Sequence, residues 1–238
     1  MKTTAWIVLC LCMITTSASA EEATGDTEKY WPQWRGPNAN GVATQGAPPV
    51  EWSETKNIRW KIDIPGKGSS TPIIWGDHLY VTTAIPTVEE KAPEPPQQGQ
   101  QRGPRTLQPS GPYEFVLFAI HRSDGQIVWQ KTLRKEIPHE GTHPTGTFAS
   151  NSAVTDGEYI WAYFGSRGLY CLDMEGNLLW ERDFGDMEKR RTFGEGSSPV
   201  IHGDKIFVLW DHQGPSSLYA LDKKTGKDIW KVDRDEIT

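Results

Sequence analysis

Cysteine is scarce in this chain, with three among 238 residues. Two of them, Cys10 and Cys12, lie in residues 1–20, which have the charged start, the apolar run and the small-residue end of a cleaved signal peptide. The apolar run is well short of the roughly 20 residues that a membrane span needs, so a membrane anchor is the weaker interpretation. The mature chain then keeps Cys171 alone, which excludes a disulfide framework and leaves packing to hold an exported protein together.

Long apolar runs and excess positive charge are also lacking. Beyond residue 20 the sequence has no run long enough to span a bilayer. The whole chain has 25 basic and 31 acidic residues, and loss of Lys2 with the leader gives 24 − 31 = −7 for the mature chain. This charge opposes a role on nucleic acid or on an anionic membrane. The leader predicts export to the periplasm, the cell surface or the medium.

Sequence signatures of a catalytic centre are few. There is no nucleophile motif around a serine or cysteine, no glycine-rich phosphate loop and no Cys-x-x-Cys-His haem site. His139 to His143 fits the zinc-protease pattern H-E-x-x-H, but that chemistry requires a helix with both imidazoles on one face. Pro138, Gly141 and Pro144 favour a loop instead, so no zinc site is predicted there. The imidazoles remain candidates for contact with a ligand.

The most informative feature present is a repeat that contains a glycine and a tryptophan. It is clearest in residues 218–230, and weaker copies occupy residues 117–129 and 169–180. In every copy the glycine precedes the tryptophan by four positions, and successive tryptophans lie 180 − 129 = 51 and 230 − 180 = 50 residues apart. A period of about fifty residues is typical of repeat architectures. The pairs are Gly125 with Trp129, Gly176 with Trp180, and Gly226 with Trp230.

A hairpin pattern recurs in phase with this repeat. Two apolar runs flank a Gly-Asp or Asp-Gly turn in residues 69–81, 149–161 and 197–208. With the two strands around each Gly-Trp copy, one unit has four short strands, the number in a β-propeller blade. The predicted fold is therefore all-β, a propeller of four-stranded antiparallel blades with about three blades present. The partial propeller covers residues 57–238, with blades at 57–130, 131–182 and 183–232.

The remaining segments are assigned as extensions and connections. Residues 21–56 form an N-terminal extension, whose Trp31 and Trp34 either seal an edge of the propeller or pack locally. Residues 57–62 are predicted as the outermost strand of a blade that another part of the ring completes. Residues 86–112 are rich in proline and glutamine, cannot bury apolar surface, and are predicted to be a disordered insert.

Two polar segments lie between predicted strands of the later blades. The charged run 188–191 is expected to be a solvated loop rather than a binding patch. Residues 211–214 are positioned to present polar groups at the rim of the assembly, where loops carry function more often than strands do.

The repeats resemble the tryptophan-docking motif of the pyrroloquinoline-quinone-like (PQQ-like) β-propeller repeat family, within the quinoprotein alcohol dehydrogenase-like superfamily. The third copy is the most complete; the first has His121 in place of the family aspartate, and the second has Cys171 in place of alanine. Residues 31–37 and 193–199 are similar to secreted members of planctomycete type. The matching residues are Ala119, Gly125, Trp129, Cys171, Asp173, Gly176, Trp180, Ala220, Asp222, Thr225, Gly226, Lys227 and Trp230.

The motif also has a physical explanation in blade packing. One tryptophan docked between adjacent blades buries about 150–250 Å². The small residue leaves room for a ring, and the glycine permits the positive φ of the turn. Asp173 and Asp222 can accept hydrogen bonds from turn amides. We therefore assign these residues a structural role and no catalytic one, and we expect Trp180 and Trp230 to be equally buried.

For function, the resemblance implies two alternatives. Quinoprotein dehydrogenases of the superfamily bind PQQ and Ca²⁺ at the propeller axis and oxidise alcohols or sugars, whereas non-catalytic relatives use the propeller as a docking surface. The adjacent cysteine pair of the dehydrogenases is lacking, since Cys171 stands alone, and no calcium ligand or catalytic aspartate is assigned. The sequence therefore predicts a non-catalytic binding or scaffold module for a protein or carbohydrate partner, without an assigned cofactor. A PQQ- and Ca²⁺-dependent dehydrogenase is the alternative.

Three blades leave the predicted ring open. Propellers usually have four to eight blades, and an open end exposes the edges of a sheet. The expectation is that the chain is the N-terminal portion of a longer protein, or that an oligomer completes the ring between chains.

Overall fold

The computed structural model describes residues 28–44, 46–89 and 106–236, so the predicted signal peptide lies outside the described residues. These residues form three four-stranded antiparallel sheets. Their helical residues belong to two short 3₁₀ segments, Gly165–Arg167 and Arg190–Thr192. Within the same ranges, no helix has the length and the apolar character that a membrane crossing requires.

Each sheet is one blade, and its strands follow one another in chain order. Blade 1 contains β1 (Ile73–Trp75), β2 (His78–Pro86), β3 (Tyr113–His121) and β4 (Ile127–Glu136). Blade 2 contains β5 (Val154–Thr155), β6 (Tyr159–Tyr163), β7 (Leu169–Asp173) and β8 (Leu178–Arg182). Blade 3 contains β9 (Val200–His202), β10 (Lys205–Trp210), β11 (Ser216–Asp222) and β12 (Asp228–Arg234). The predicted fold class, an incomplete all-β propeller with three blades, is confirmed.

The core lies in the seams between blades, and strand patterning explains why. The strand β3 is buried almost throughout because both of its faces are covered, with Phe115 and Leu117 toward blade 2. Strand β10 alternates instead, and its residues Ile206 and Val208 pack against blade 2. The outermost strands β4, β8 and β12 are largely exposed.

Connectivity gives every blade two different ends. The tight β1–β2 and β3–β4 turns meet at one end, where the N–H of Arg122 donates to the carbonyl of Asp77 at 2.8 Å. In blade 3 the N–H of Lys223 donates to the carbonyl of Asp204 at 3.0 Å. We call this the turn end. The opposite end, the loop end, carries the longer loops within blades and the connections between blades: residues 87–89 and 106–112, 137–153, 164–168, 183–199 and 211–215.

Residues 57–62, which were predicted as the outermost strand of a blade that another part of the ring completes, pair with no strand of the described chain, so that assignment stays a prediction. A strand requires a neighbouring strand to pair with, and this segment instead crosses the face of blade 1. Trp60, Ile62 and Ile64 pack against the side chains of β3 on the face away from blade 2. Lys67 then pairs with Ala84 of β2 through two backbone hydrogen bonds of 3.0 Å.

The blade limits differ slightly from the predicted ones. Strand β4 continues past residue 130 to Glu136, and β12 continues past residue 232 to Arg234. Strand β2 ends at Pro86 and β3 begins at Tyr113, so the insert 86–112 connects them. Its residues 90–105 lie outside the described residues, and the predicted disorder stays a prediction.

The N-terminal extension reaches the innermost strands of two blades. Trp31 and Ile74 of β1 exchange backbone hydrogen bonds of 3.1 and 2.8 Å. The next residue, Pro32, accepts a hydrogen bond of 2.9 Å from the N–H of Thr155 in β5. Trp31 is therefore the tryptophan that seals an edge, whereas Trp34 is 53% exposed.

Candidate functional site

The predicted repeat residues lie at equivalent places in the three blades. The small residue of each repeat is directly opposite the tryptophan across the third and fourth strands, and a β-bulge follows it immediately. All three small residues are fully buried, so nothing larger fits beneath the indole ring. The opposed pairs are Ala119 with Trp129, Cys171 with Trp180, and Ala220 with Trp230.

Trp129 and Trp180 each contact the turn of the following blade. A Cβ added at Gly176 would lie 2.9 Å from the Trp129 ring, and one added at Gly226 would lie 2.6 Å from the Trp180 ring. These glycines have φ values of +87° and +68°, so both the backbone and the close approach of the ring require glycine. The indole N–H groups donate to turn carbonyls, from Trp129 to Met174 at 3.3 Å and from Trp180 to Lys223 at 3.2 Å.

Trp60 makes the same contacts with blade 1, although the sequence did not predict them. A Cβ added at Gly125 would lie 2.7 Å from its ring, and its indole N–H donates to the carbonyl of Arg122 at 2.9 Å. Arg122 holds the position in its turn that Met174 and Lys223 hold in theirs. Trp60 belongs to no complete copy of the repeat, which is why pattern matching missed it.

Trp230 differs from the other three tryptophans. It is 37% exposed, and its ring packs on Phe207 of its own blade at 5.8 Å. The expectation that Trp180 and Trp230 would be equally buried was therefore wrong. Docking requires the turn of a following blade, and blade 3 is the last blade of the described residues.

The turn carboxylates accept backbone hydrogen bonds. Asp222 Oδ1 accepts the hydroxyl and the N–H of Thr225, both at 2.8 Å, and the N–H of Lys224 at 3.1 Å. The hydroxyl of Thr225, followed by the amide donors, lowers the pKa of Asp222, and burial opposes this effect. Asp173 accepts the N–H of Asn177 at 2.8 Å. The side chain of Lys227 is exposed, and its carbonyl accepts the N–H of Asp222 at 2.8 Å.

In the first copy, His121 occupies the position of these aspartates and bonds differently. Its Nδ1 lies 2.8 Å from the hydroxyl of Ser123 and 3.3 Å from a carboxylate oxygen of Asp124. Asp124 takes over the role of the turn acceptor and receives the N–H of Gln126 at 3.0 Å. The substitution thus keeps the turn closed with different donors and acceptors.

A second arrangement, at the loop end, is built around Arg167. This residue lies in the 3₁₀ segment between β6 and β7 and is 6% exposed. Its guanidinium forms ion pairs with Glu136 and Asp186, and it donates to Nδ1 of His139 at 2.8 Å. Since arginine is always a donor, Nδ1 is the acceptor, and Nε2 carries the proton that is donated to the carbonyl of Met187 at 2.7 Å. The guanidinium of Arg167 thereby holds together three separate connections of the loop end, residues 137–153, 164–168 and 183–199.

Glu195 fixes the same 3₁₀ segment from the other side. Its carboxylate accepts the N–H of Ser166 at 2.6 Å and the hydroxyl of Ser166 at 2.5 Å. That hydroxyl also accepts the N–H of Met187 at 2.8 Å. A Cβ at Gly165 would overlap the carboxylate of Glu195, so a glycine is needed there for the approach.

Residues 188–199 and 211–214 complete the interlocked loops. The carboxylate of Glu140 accepts the N–H of Lys189 at 3.1 Å, and the ammonium of Lys189 donates to the carbonyl of Asp211. Burial lowers the pKa of Lys189, and nearby carboxylates oppose this effect. Nδ1 of His212 accepts the N–H of Glu188 at 3.2 Å. Residues 211–214, which were expected at a rim, thus belong to the loop end.

Between these groups lies a cleft of about 30 Å³ with an aromatic floor. Phe115 and Phe164 form the floor with ring centroids 5.4 Å apart, and polar side chains form the rim. The charged residues of the rim already hydrogen-bond to one another or to the backbone. The rim is therefore held in place by its own contacts, and the enclosed space is about that of one water molecule. The titratable lining residues are His139, Glu140, Arg167, Lys189 and Glu195.

The H-E-x-x-H segment is a loop, as its proline and glycine residues predicted. The two imidazoles bond to different partners, since Nδ1 of His143 lies 2.8 Å from the hydroxyl of Thr145. Within residues 28–44, 46–89 and 106–236, no three His, Cys, Asp or Glu side chains are grouped to hold a metal ion.

The described residues contain no group of side chains that fits the Ca²⁺ implied by the family resemblance. Ca²⁺ takes six to eight oxygen ligands in typical protein sites, and the described chain offers no cluster of carboxylates that would start such a shell. Cys171 is fully buried beneath Trp180, and burial, with smaller effects from Asp156 and Asp173, raises the pKa of its thiol to about 12. This thiol is a packing group rather than part of a redox pair.

Sequence reasoning missed the arginine network of the loop end. The signal that could have found it is a single charged residue between two buried apolar runs, residues 159–164 and 169–172. An arginine in that position must be buried, and a buried arginine requires carboxylate partners. The partners themselves follow only from the fold, because they come from different connections.

Residues 114–238, just over half of the chain, match the family model described as outer membrane protein assembly factor BamB. The chain belongs to this family. The BamB family match extends over most of β3, β4 and the whole of blades 2 and 3. The predicted resemblance to PQQ-like β-propellers is thereby confirmed.

Among solved structures, a europium-containing methanol dehydrogenase is similar over 90% of this chain and 34% of its own, with a TM-score of 0.54 and 17% identity. A quinohemoprotein alcohol dehydrogenase from Pseudomonas putida has a TM-score of 0.41 and 16% identity over 73% of this chain and 22% of its own. BamB from Moraxella catarrhalis has a TM-score of 0.32 and 15% identity over 53% and 36%. The chain therefore spans about a third of the length of the first of these. No curated protein sequence matches the chain.

Proposed function

We propose that the chain is a non-catalytic binding module whose loop end is a docking surface for another protein. The observation that supports this is the pairing of the charged groups around the cleft. The guanidinium of Arg167 forms ion pairs with Glu136 and Asp186, and both carboxylate oxygens of Glu195 accept hydrogen bonds from Ser166. General acid–base catalysis needs a group that can exchange protons with a substrate, and these groups are occupied.

The same contacts favour docking. A surface whose loops are already fixed loses little conformational entropy when a partner binds, so more of the contact energy appears as affinity. The description of the family names an assembly factor, which agrees with a role in protein interaction. Export by the leader in residues 1–20 would bring this surface to partners outside the cytoplasm.

A quinone assay tests the non-catalytic function. Full-length protein is incubated with PQQ and Ca²⁺, or PQQ and a lanthanide ion, and with a dye acceptor and a panel of alcohols and aldoses. We expect no dye reduction above the protein-free rate, with an active quinoprotein methanol dehydrogenase as the positive control. Saturable quenching of tryptophan fluorescence by PQQ together with dye turnover would establish the dehydrogenase alternative instead.

Carbohydrate binding is a second candidate, because of Trp34. Its ring is 53% exposed, and the guanidinium of Arg35 lies 4.9 Å from the ring centroid. Exposed indoles suit the apolar faces of sugars. On a glycan array, this candidate predicts binding that Trp34→Ala abolishes and that Trp52→Ala, at a position that is 76% exposed, retains. Equal binding by both variants would remove Trp34 from consideration.

A further inference from the structure

Two arginines at the loop end have no partner of their own. Arg190 and Arg191 are exposed, and within the described ranges their side chains make neither an ion pair nor a hydrogen bond. Four of the nine described arginines pair with carboxylates: Arg134, Arg167, Arg182 and Arg234. Arg190 and Arg191 differ from the other unpaired arginines in being adjacent in one turn of the loop end.

The backbone of these arginines is held in an unfavourable conformation. Arg191 has φ +60° and ψ +17°, and the next residue, Thr192, has φ +51°. Residues with a Cβ avoid this left-handed region, and they keep it only where the surroundings impose it, which occurs most often at functional sites. Two such residues in succession turn the chain sharply between Lys189 and Phe193.

Neighbouring loops hold this turn from both sides. Before it, the N–H of Lys189 bonds to the carboxylate of Glu140 at 3.1 Å. After it, the carbonyl of Phe193 accepts the N–H of His143 at 3.4 Å. Within it, the N–H of Thr192 donates to the carbonyl of Lys189 at 3.0 Å. The backbone that carries the two guanidinium groups is therefore fixed by hydrogen bonds, whereas the backbone of a solvated charge run is not.

An exposed aromatic ring lies in the same turn. Phe193 is 43% exposed, and its ring meets the edge of the His143 imidazole at a centroid distance of 5.3 Å. Together with Arg190, Arg191 and the adjoining glycine Gly194, it lines an open concavity of the loop end. Two guanidinium groups beside an apolar ring are suited to a ligand that carries both carboxylates and an apolar side chain.

We propose that residues 189–193, which we call the arginine knuckle, bind an acidic segment of a partner protein. Side-chain carboxylates of the partner pair with Arg190 and Arg191, and an apolar or aromatic side chain packs on Phe193. A polypeptide offers both groups within a few residues, whereas a free anion offers only the charge. The inference rests on the docking function proposed above and gives the chemistry of the partner.

The probe is a fluorescein-labelled decapeptide of alternating Glu and Tyr, with a second peptide in which Gln replaces every Glu. Fluorescence anisotropy with the full-length protein at physiological salt gives both affinities. We expect the acidic peptide to bind and Arg190→Gln/Arg191→Gln to weaken it about tenfold or more. The control Lys224→Gln/Lys227→Gln removes the same charge at the turn end, where both lysines are exposed, and should change the affinity less than about twofold.

Three results would overturn the inference: no binding of the acidic peptide, equal binding of the Gln peptide, or equal losses in the two double variants. A further variant, Phe193→Ala, should weaken binding while leaving the thermal unfolding temperature of the protein unchanged. The dye-reduction assay on the same preparations separates the two proposals. Dye turnover with PQQ refutes the non-catalytic function, whereas failed peptide binding without turnover refutes the arginine knuckle alone.

Discussion

At the scale of single residues, what distinguishes the tryptophans is whether a turn lies against them. Trp180 touches Gly226 and donates to the carbonyl of Lys223, whereas Trp230 has only Phe207 of its own blade. Trp230 belongs to the more complete copy of the repeat and is nevertheless the more exposed of the two, so the local pattern does not predict burial. Burial of a repeat residue depends on the neighbour that the fold provides.

Substituting the two tryptophans tests this difference. We expect Trp180→Ala to lower the free energy of unfolding by about 3 kcal/mol, because a large ring and its hydrogen bond are lost from a seam. Trp230→Ala should cost about 1 kcal/mol or less, as for a partly exposed side chain. Urea denaturation followed by circular dichroism measures both, and equal costs would contradict the docking contacts.

The lowered pKa of Asp222 predicts how the stability of the protein changes at acid pH. Its pKa is lowered by the hydroxyl and amide donors of Thr225, so its stabilising effect is complete above the unfolded pKa of about 3.9 and is lost as the pH falls through the lower folded value. Asp222→Asn removes this titration. The difference in melting temperature between the native protein and the variant should stay constant from pH 7 to about 5 and shrink below about pH 4. A difference that is unchanged at pH 3 would show that the carboxylate does not act in its ionised form.

At the scale of elements, the sequence predicted the strands correctly wherever a strand and its pairing strand are neighbours in the chain. The hairpins and the Gly-Trp copies contain both strands and the turn between them, and all of them were predicted in place. Residues 57–62 have the same apolar alternation as a strand, but they lie over the face of blade 1 without a pairing strand. Pairing is not a local property, and this is the part of the fold that a single sequence does not contain.

The Arg167 network shows the same limit for the candidate site. Glu136 ends β4, whereas His139 and Asp186 lie in two different connections, and none of the three belongs to a sequence motif that marks it as a partner of Arg167. Only the arrangement of the blades brings them around one guanidinium. His139 was selected in the sequence for a zinc pattern and is instead a hydrogen-bond partner of the arginine.

We expect Arg167→Met to destabilise the protein by about 2–4 kcal/mol, because it leaves the largely buried carboxylate of Glu136 with only the more exposed Arg134 as a cation. The double variant Arg167→Met/Glu136→Gln removes the charge that was left behind and should recover part of the loss. Thermal unfolding measures both variants. A double variant that is less stable than Arg167→Met would contradict the pairing.

At the scale of the whole molecule, every described seam is joined twice. Near the turn end a tryptophan packs on the glycine turn of the following blade. Near the innermost strands, the N–H of Thr71 donates to the hydroxyl of Ser152, and the N–H of Ser152 donates to the hydroxyl of Ser198, both at 2.9 Å. These three residues occupy equivalent positions, two residues before the first strand of their blades. Stability in such an array is set by contacts between neighbours.

The most direct test of this coupling is a double-mutant cycle across one seam. Gly226→Ala combines an unfavourable positive φ with a Cβ placed 2.6 Å from the Trp180 ring, whereas Gly203→Ala, at φ +61° with nothing within 4 Å, has the φ effect alone. We predict that Gly226→Ala costs at least about 1 kcal/mol less in a Trp180→Ala background than in the native protein, while the cost of Gly203→Ala is the same in both. An equal cost of Gly226→Ala in the two backgrounds would contradict the docking of tryptophans between blades.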